Sequence, residues 1–189
     1  LRGTYCSTPE FGGTLIERID AQVNFQWGSK APMPGIPPDR FSVRWEGDIE
    51  TLNAGNYTFH VRSDDGARLF VDDRLLIDSW RPQPATENSA TIELEAGRRY
   101  PIRLDYFDGA VLAMVSLSWT PPGGGRQLIG ADRFSQTFGS ENPLKERNGL
   151  QGSYFHGIHL QGPAVVRVDR SIDFPWTGRE LAPGFGVHK

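Results

Sequence analysis

The sequence predicts an all-β protein, an antiparallel β-sandwich or barrel. Three observations predict it. Apolar residues alternate with polar ones over several short runs, which is the period of half-buried strands. Turn residues punctuate those runs, and no stretch shows a convincing helical period. Gly 22, Pro 14 and 11% aromatic residues in 189 fit a turn-rich β protein.

The strands can be placed in order. Phe41, Val43 and Trp45 alternate with Ser42, Arg44 and Glu46. Tyr57, Phe59 and Val61 follow the turn NAGN at 53–56, and Ala67, Leu69 and Val71 form the next run. VDDR at 71–74 lies between ARLFV and LLIDSW; Asp tolerates left-handed backbone angles, so Asp72-Asp73 is predicted as a tight hairpin turn. Ile92 and Leu94 precede the turn EAGRR at 95–99. Tyr100, Ile102, Leu104 and Tyr106 lead to the turn signal Asp108-Gly109, and Ala113, Val115, Leu117 and Trp119 close the series. Trp27, Trp45 and Trp119 are expected in the core.

The chain is long enough for one domain with a sizeable core and part of another. Residues 1–5, LRGTY, recur as LQGSY at 150–154, and the same offset holds without a gap to residue 189. Arg18 meets Arg167, Asp20 meets Asp169, and NFQW at 24–27 meets DFPW at 173–176, so Trp176 repeats Trp27. Residues 1–145 are therefore read as a complete unit, 146–149 as a linker, and 150–189 as the opening of a second copy. A partial β-unit leaves edges to cover. Residues 150–189 are thus expected to pack on the first unit, or to reach a protein partner or another copy of the chain.

Composition excludes several classes. The formal net charge is −3 with no basic run, so no nucleic-acid partner is expected. No apolar run reaches the length of a membrane span, and the first residues carry no signal-peptide pattern. The chain opens mid-motif and reads as a piece of a longer protein. Cys6 is the single cysteine, so disulfides cannot be the framework. It aligns with Phe155 in the repeat, an apolar position and not that of an activated thiol. His60 lies in an alternating strand, His156 and His159 lack a zinc ligand set, and adjacent carboxylates are not the spaced pair of a glycosidase. A non-enzymatic role is expected.

With PGIPPDRFSVRWEG at 34–47, AGNYTFHVRSDDGARLFVDD at 54–73, LLIDSW at 75–80 and RLDYFDG at 103–109 followed by LSW at 117–119, the chain resembles the protective-antigen domain family. The resemblance implies an antiparallel β-sandwich or barrel of secreted or cell-surface proteins, present in glycosidases, toxins and adhesins. It implies an extracellular or cell-surface location and binding of a glycan or a cell-wall or surface polysaccharide. In the flocculin-like branch an Asp-Asp pair joined by a cis peptide holds Ca²⁺, which holds sugar hydroxyls; the matching pair here is Asp64-Asp65.

Calcium takes 6–8 oxygen ligands, and carboxylates suit it. Successive side chains of a regular strand point to opposite faces, so both Asp can serve one ion only where the strand geometry breaks. The alternative for Asp64-Asp65 is a surface turn capping backbone amides. Asp108 is a candidate to complete the metal site or touch the sugar, with a hairpin Asp-Gly turn as its alternative. No Asn ligand of the flocculin-like pattern is placed in this sequence. Trp80 and Phe107 are candidates for stacking on a sugar ring, with core packing as the alternative. The expected function is a non-catalytic carbohydrate-binding module using Ca²⁺; a structural or protein-interaction module in a tandem stalk is the competing reading.

Overall fold

The computed structural model describes residues 1–135, 150–155 and 164–169. Two compact units divide the chain, Leu1–Thr137 and Phe138–Lys189. In the first, alternation builds β1 (Arg2–Cys6), β2 (Leu15–Ile19), β3 (Asn24–Gly28), β4 (Ser42–Glu50), β5 (Gly55–Asp64) and β6 (Gly66–Val71). After these come β7 (Arg74–Ser79), β8 (Thr86–Leu94), β9 (Arg99–Phe107), β10 (Ala113–Thr120) and the two-residue strands β11 (Gln127–Leu128) and β12 (Phe134–Ser135). All pairings between them are antiparallel.

One sheet runs β2-β1-β4-β9-β6-β7 with β12 beside β4; the other runs β11-β10-β5-β8 with β3 beside β10. Their inward faces supply the core. Phe41, Val43 and Trp45, Tyr57, Phe59 and Val61, Leu69, Leu104, Tyr106, Leu117 and Trp119 are all at most 3% exposed. This is the alternation read from the sequence, and hydrophobic burial of that face is what holds the two layers together. Trp45 and Trp119 are core residues, while Trp27 is partly buried and packs on the core through Phe25 and Phe41. Trp176 lies outside the described residues.

Asp72 and Asp73 form the two-residue turn between β6 and β7, with φ of 53° and 58°. Positive φ at both central positions is the type I′ signature that matches strand twist. The other acidic turn signal behaves differently. Asp108-Gly109 does not make a hairpin: β9 belongs to one sheet and β10 to the other, so 108–112 is a crossing between layers. Asp64-Asp65 sits at another crossing, where β5 of one sheet hands over to β6 of the other.

Register fixes where these crossings lie. Cys6 pairs with Ser42, Ser42 with Phe107, and Phe107 with Gly66. The loops after β1, before β4, between β5 and β6, and between β9 and β10 therefore gather at one end. The Asp72-Asp73 turn caps the far end of β6, roughly 20 Å away at about 3.3 Å per residue. The two Asp pairs are thus spatially separate.

In the second unit, β13 (Leu150–Phe155) pairs antiparallel with β14 (Ala164–Asp169). Gly152 faces Arg167 and Tyr154 faces Val165, as Gly3 faces Arg18 and Tyr5 faces Ile16 in the first unit. The sequence repeat is thus also a repeat of strand register. The expected docking surface of 150–189 otherwise falls outside the described residues.

Candidate functional site

Asp64 ends β5 and Asp65 stands between the strands; the peptide bond joining them is cis. Asp65 is nearly buried, at 8% exposure, and is held from three directions. Its Oδ1 accepts the Gln83 backbone N–H at 2.9 Å and its Oδ2 the Gly109 N–H at 2.7 Å. The Gln83 side-chain amide donates to the Asp65 carbonyl at 3.2 Å, and Ser79 Oγ in turn bonds Gln83 Oε1 at 2.8 Å. Tyr106 donates its hydroxyl to the Asp64 carbonyl at 2.6 Å. Asp65 thereby ties the β5–β6, β7–β8 and β9–β10 connections together.

Gly66 is required by close approach, and Gly109 stands in tight contact. A Cβ on Gly66 would run into the Phe107 ring, and one on Gly109 would lie 3.1 Å from Asp65 Oδ2.

Asp108 is fully buried. Its Oδ2 accepts the Arg40 backbone N–H at 3.2 Å, whereas Oδ1 has no hydrogen-bond partner among the described residues. A buried polar atom left unpaired costs roughly 1–3 kcal/mol, more when charged. Burial pushes the Asp108 carboxyl up to about 6, with the charges of Asp65, Asp39 and Asp64 adding to the rise and the Arg40 amide opposing it. The Asp64 carboxyl is also raised, first by burial and then by Asp65. Burial is the leading cause in both cases, and the neighbouring carboxylates add to it.

A stability profile follows. The folded pKa of Asp108 lies above the ordinary 3.8, so folding favours its protonated form. That contribution is complete below the ordinary value and is lost as the pH rises through about 6. In EDTA, urea unfolding of the wild type relative to Asp108→Asn should lose up to about 3 kcal/mol between pH 4 and 7. Parallel pH profiles for the two proteins would overturn this.

The fit to calcium can be tested on these atoms. A cation would supply the partner that Asp108 Oδ1 lacks and would favour the ionised form of both raised carboxyls. Among the described residues no three His, Cys, Asp or Glu side chains converge as a ready ligand set. A calcium shell here would therefore need carbonyl, water or hydroxyl oxygens beside the carboxylates, which calcium's 6–8 ligands allow. Asp64, Asp65 and Asp108 would be its acidic ligands, with the remaining oxygens drawn from elsewhere.

The aromatic candidates are brought to the same end but face one another. Trp80 stacks on Phe11 with centroids 5.6 Å apart and meets Phe107 edge-on at 4.8 Å. The Arg68 guanidinium lies 4.9 Å from the Trp80 centroid. Phe107 is 8% exposed and forms the wall beneath Gly66. Trp80 remains partly exposed.

Sequence reasoning missed Gln83, Arg40, Asp39 and Phe11, which shape this end. Asp39 Oδ1 accepts the Val111 N–H at 2.9 Å, pinning the 108–112 crossing. Among the described residues outside the hairpin turn, the positive-φ residues other than glycine are Phe11, Arg40 and Val111, at 59°, 60° and 78°. All three stand in loops of this end, and unfavourable backbone angles gather at functional sites.

The PA14 domain model matches residues 3–133. The chain belongs to the PA14 domain family. The anti-sigma-I factor RsgI3 of Acetivibrio thermocellus is 38% identical over 178 residues, 93% of this chain and 27% of that protein. A solved anti-sigma factor domain-containing protein is 36% identical, with a TM-score of 0.71, covering 93% of this chain and 61% of that one. The chain thus spans about a quarter of the first relative and less than two thirds of the second. A PA14 sugar-binding domain from an RTX adhesin shares the fold at 20% identity, TM-score 0.57, covering 71% of this chain and 97% of that domain. No helix among the described residues is long and apolar enough to cross a membrane.

Proposed function

We propose that this PA14 unit is a non-catalytic carbohydrate-binding module, that Asp64, Asp65 and Asp108 hold Ca²⁺, and that the ion and the flanking loops take sugar hydroxyls. The buried, partnerless Oδ1 of Asp108 in the acidic crossing carries this reading. When bound, calcium supplies an electrophilic centre that accepts vicinal hydroxyl oxygens. The chain's own residues do the positioning: Gln83 and Gly109 orient the Asp65 carboxylate, Arg40 orients Asp108, and the partly exposed Trp80 offers an apolar surface. The adhesin neighbour is a sugar-binding PA14 domain, which supports a glycan ligand. Within a larger extracellular or cell-surface protein, the module would read a cell-wall or surface polysaccharide.

A structural or protein-interaction module is the second reading, favoured by the tandem copy with its repeated strand register. Calorimetric titration with Ca²⁺, followed by glycan-array binding with and without EDTA, separates the two. Saturable calcium uptake and EDTA-sensitive glycan binding are expected. Absence of glycan binding in both conditions would leave the interaction module.

A further inference from the structure

Beside the acidic crossing, the loops at 7–10 and 37–40 enclose an open groove of about 360 Å³. That is the lower end of the roughly 300–1,000 Å³ of small-molecule sites. We propose that this groove is a second sugar subsite, so that the ligand is a neutral oligosaccharide of at least two residues. The inference rests on the carbohydrate-binding reading and extends it along the ligand.

Continuity with the first site is built into the backbone. Arg40 lines the groove with its side chain exposed, while its amide holds Asp108. Asp39 lines it too, and its Oδ1 holds the 108–112 crossing through Val111. On the opposite wall, the Thr8 carbonyl accepts the Ser42 hydroxyl at 2.7 Å, and the same Ser42 Oγ receives the Phe11 N–H at 3.1 Å. Phe11 stacks on Trp80. Both walls are thus anchored to residues of the first site, and a ligand leaving the crossing meets the groove next.

The lining suits a neutral sugar. Neither the Arg40 guanidinium nor the Glu10 carboxylate enters an ion pair among the described residues. They offer a fork of donors and two acceptor oxygens across one groove, the pairing that vicinal hydroxyls satisfy. Ser7 Oγ and Thr8 Oγ1 are committed to loop amides, at 2.8 and 2.9 Å, and keep the loop in place. Pro9 and Pro37 contribute rigid apolar faces for C–H groups. Glu10 and Asp39 outnumber Arg40, so an anionic sugar would meet net repulsion in the groove.

The test is calorimetry on the full chain in Ca²⁺ with neutral hexoses and pentoses, their linear tetrasaccharides, and a galacturonate tetrasaccharide. For the neutral sugar that binds, the tetrasaccharide should bind about tenfold tighter than the monosaccharide, from two or three added hydrogen bonds. Arg40→Ala and Glu10→Ala should each remove most of that gain. Equal affinity for monosaccharide and tetrasaccharide, or a full gain in both variants, would overturn the groove while leaving the first site standing. A larger gain for galacturonate than for any neutral chain would overturn the neutral assignment. No binding by any sugar would sink the carbohydrate-binding reading and the groove with it.

Discussion

Asp20→Ala is expected to lower unfolding stability by about 3–5 kcal/mol, because it leaves three donors without an acceptor in or beside the core. Asp20 is 6% exposed. Its Oδ2 accepts the Tyr5 hydroxyl at 2.7 Å and the Trp45 indole N–H at 2.8 Å, and its Oδ1 accepts Arg18 Nε at 2.6 Å. Arg18 also donates to the Tyr5 hydroxyl at 2.6 Å, closing the network. The Asp20 carbonyl accepts the terminal amine of Leu1 at 2.8 Å. Burial and Asp20 both push the Tyr5 hydroxyl far above its ordinary range, so it stays a donor.

Asp20→Asn should cost less, about 1–3 kcal/mol, since one acceptor remains but an amide now faces donors. Urea unfolding with an unchanged slope is the measurement. A loss below 1 kcal/mol for the alanine variant would show the network to be dispensable. The same three residue types recur as Tyr154, Arg167 and Asp169, on the hairpin β13–β14 with the same register.

That network was half legible in sequence. The repeat returned Tyr, Arg and Asp at one offset, a signal that those side chains matter together. Nothing local said that Asp20 would lie under Trp45, because the contact joins β4 to the end of β2. The two strands flanking it were equally hidden. In β2 the apolar Leu15 and Ile19 are 59% exposed while Ile16 and Arg18 turn inward, so alternation points the wrong way on an edge strand. The central strands were legible because both neighbours bury the same face of each. Asp72-Asp73 was legible because a two-residue turn is decided by its own residues.

Asp108-Gly109 was not legible as a crossing. Asp-Gly between two alternating runs reads alike whether the runs pair with each other or join different sheets, and only long-range pairing decides. Trp80 illustrates the same limit. Its loop position marked it for exposure, yet Phe11, distant in sequence, covers it.

The largest functional effect is expected at the acidic crossing. Asp64→Ala and Asp65→Ala should each abolish calcium-dependent ligand binding, while Asp73→Ala leaves it within twofold. The contrast rests on place, since the hairpin turn stands at the other end of β6 from the crossing. Asp65 carries two duties, charge and the tether to Gln83 and Gly109. Its alanine variant should therefore also lose about 2 kcal/mol of stability, from two charge-assisted bonds to backbone amides. Asp64 receives the Tyr106 hydroxyl on its backbone carbonyl, which alanine retains, and its carboxylate gives up only the Ala85 amide, so Asp64→Ala should bind no calcium yet lose less stability than Asp65→Ala. Calcium calorimetry beside urea unfolding reads both effects in one set of variants. If Asp64→Ala and Asp73→Ala titrated calcium alike, the ion would have to sit elsewhere, and the raised carboxyl of Asp108 would be a core feature with no ligand to meet.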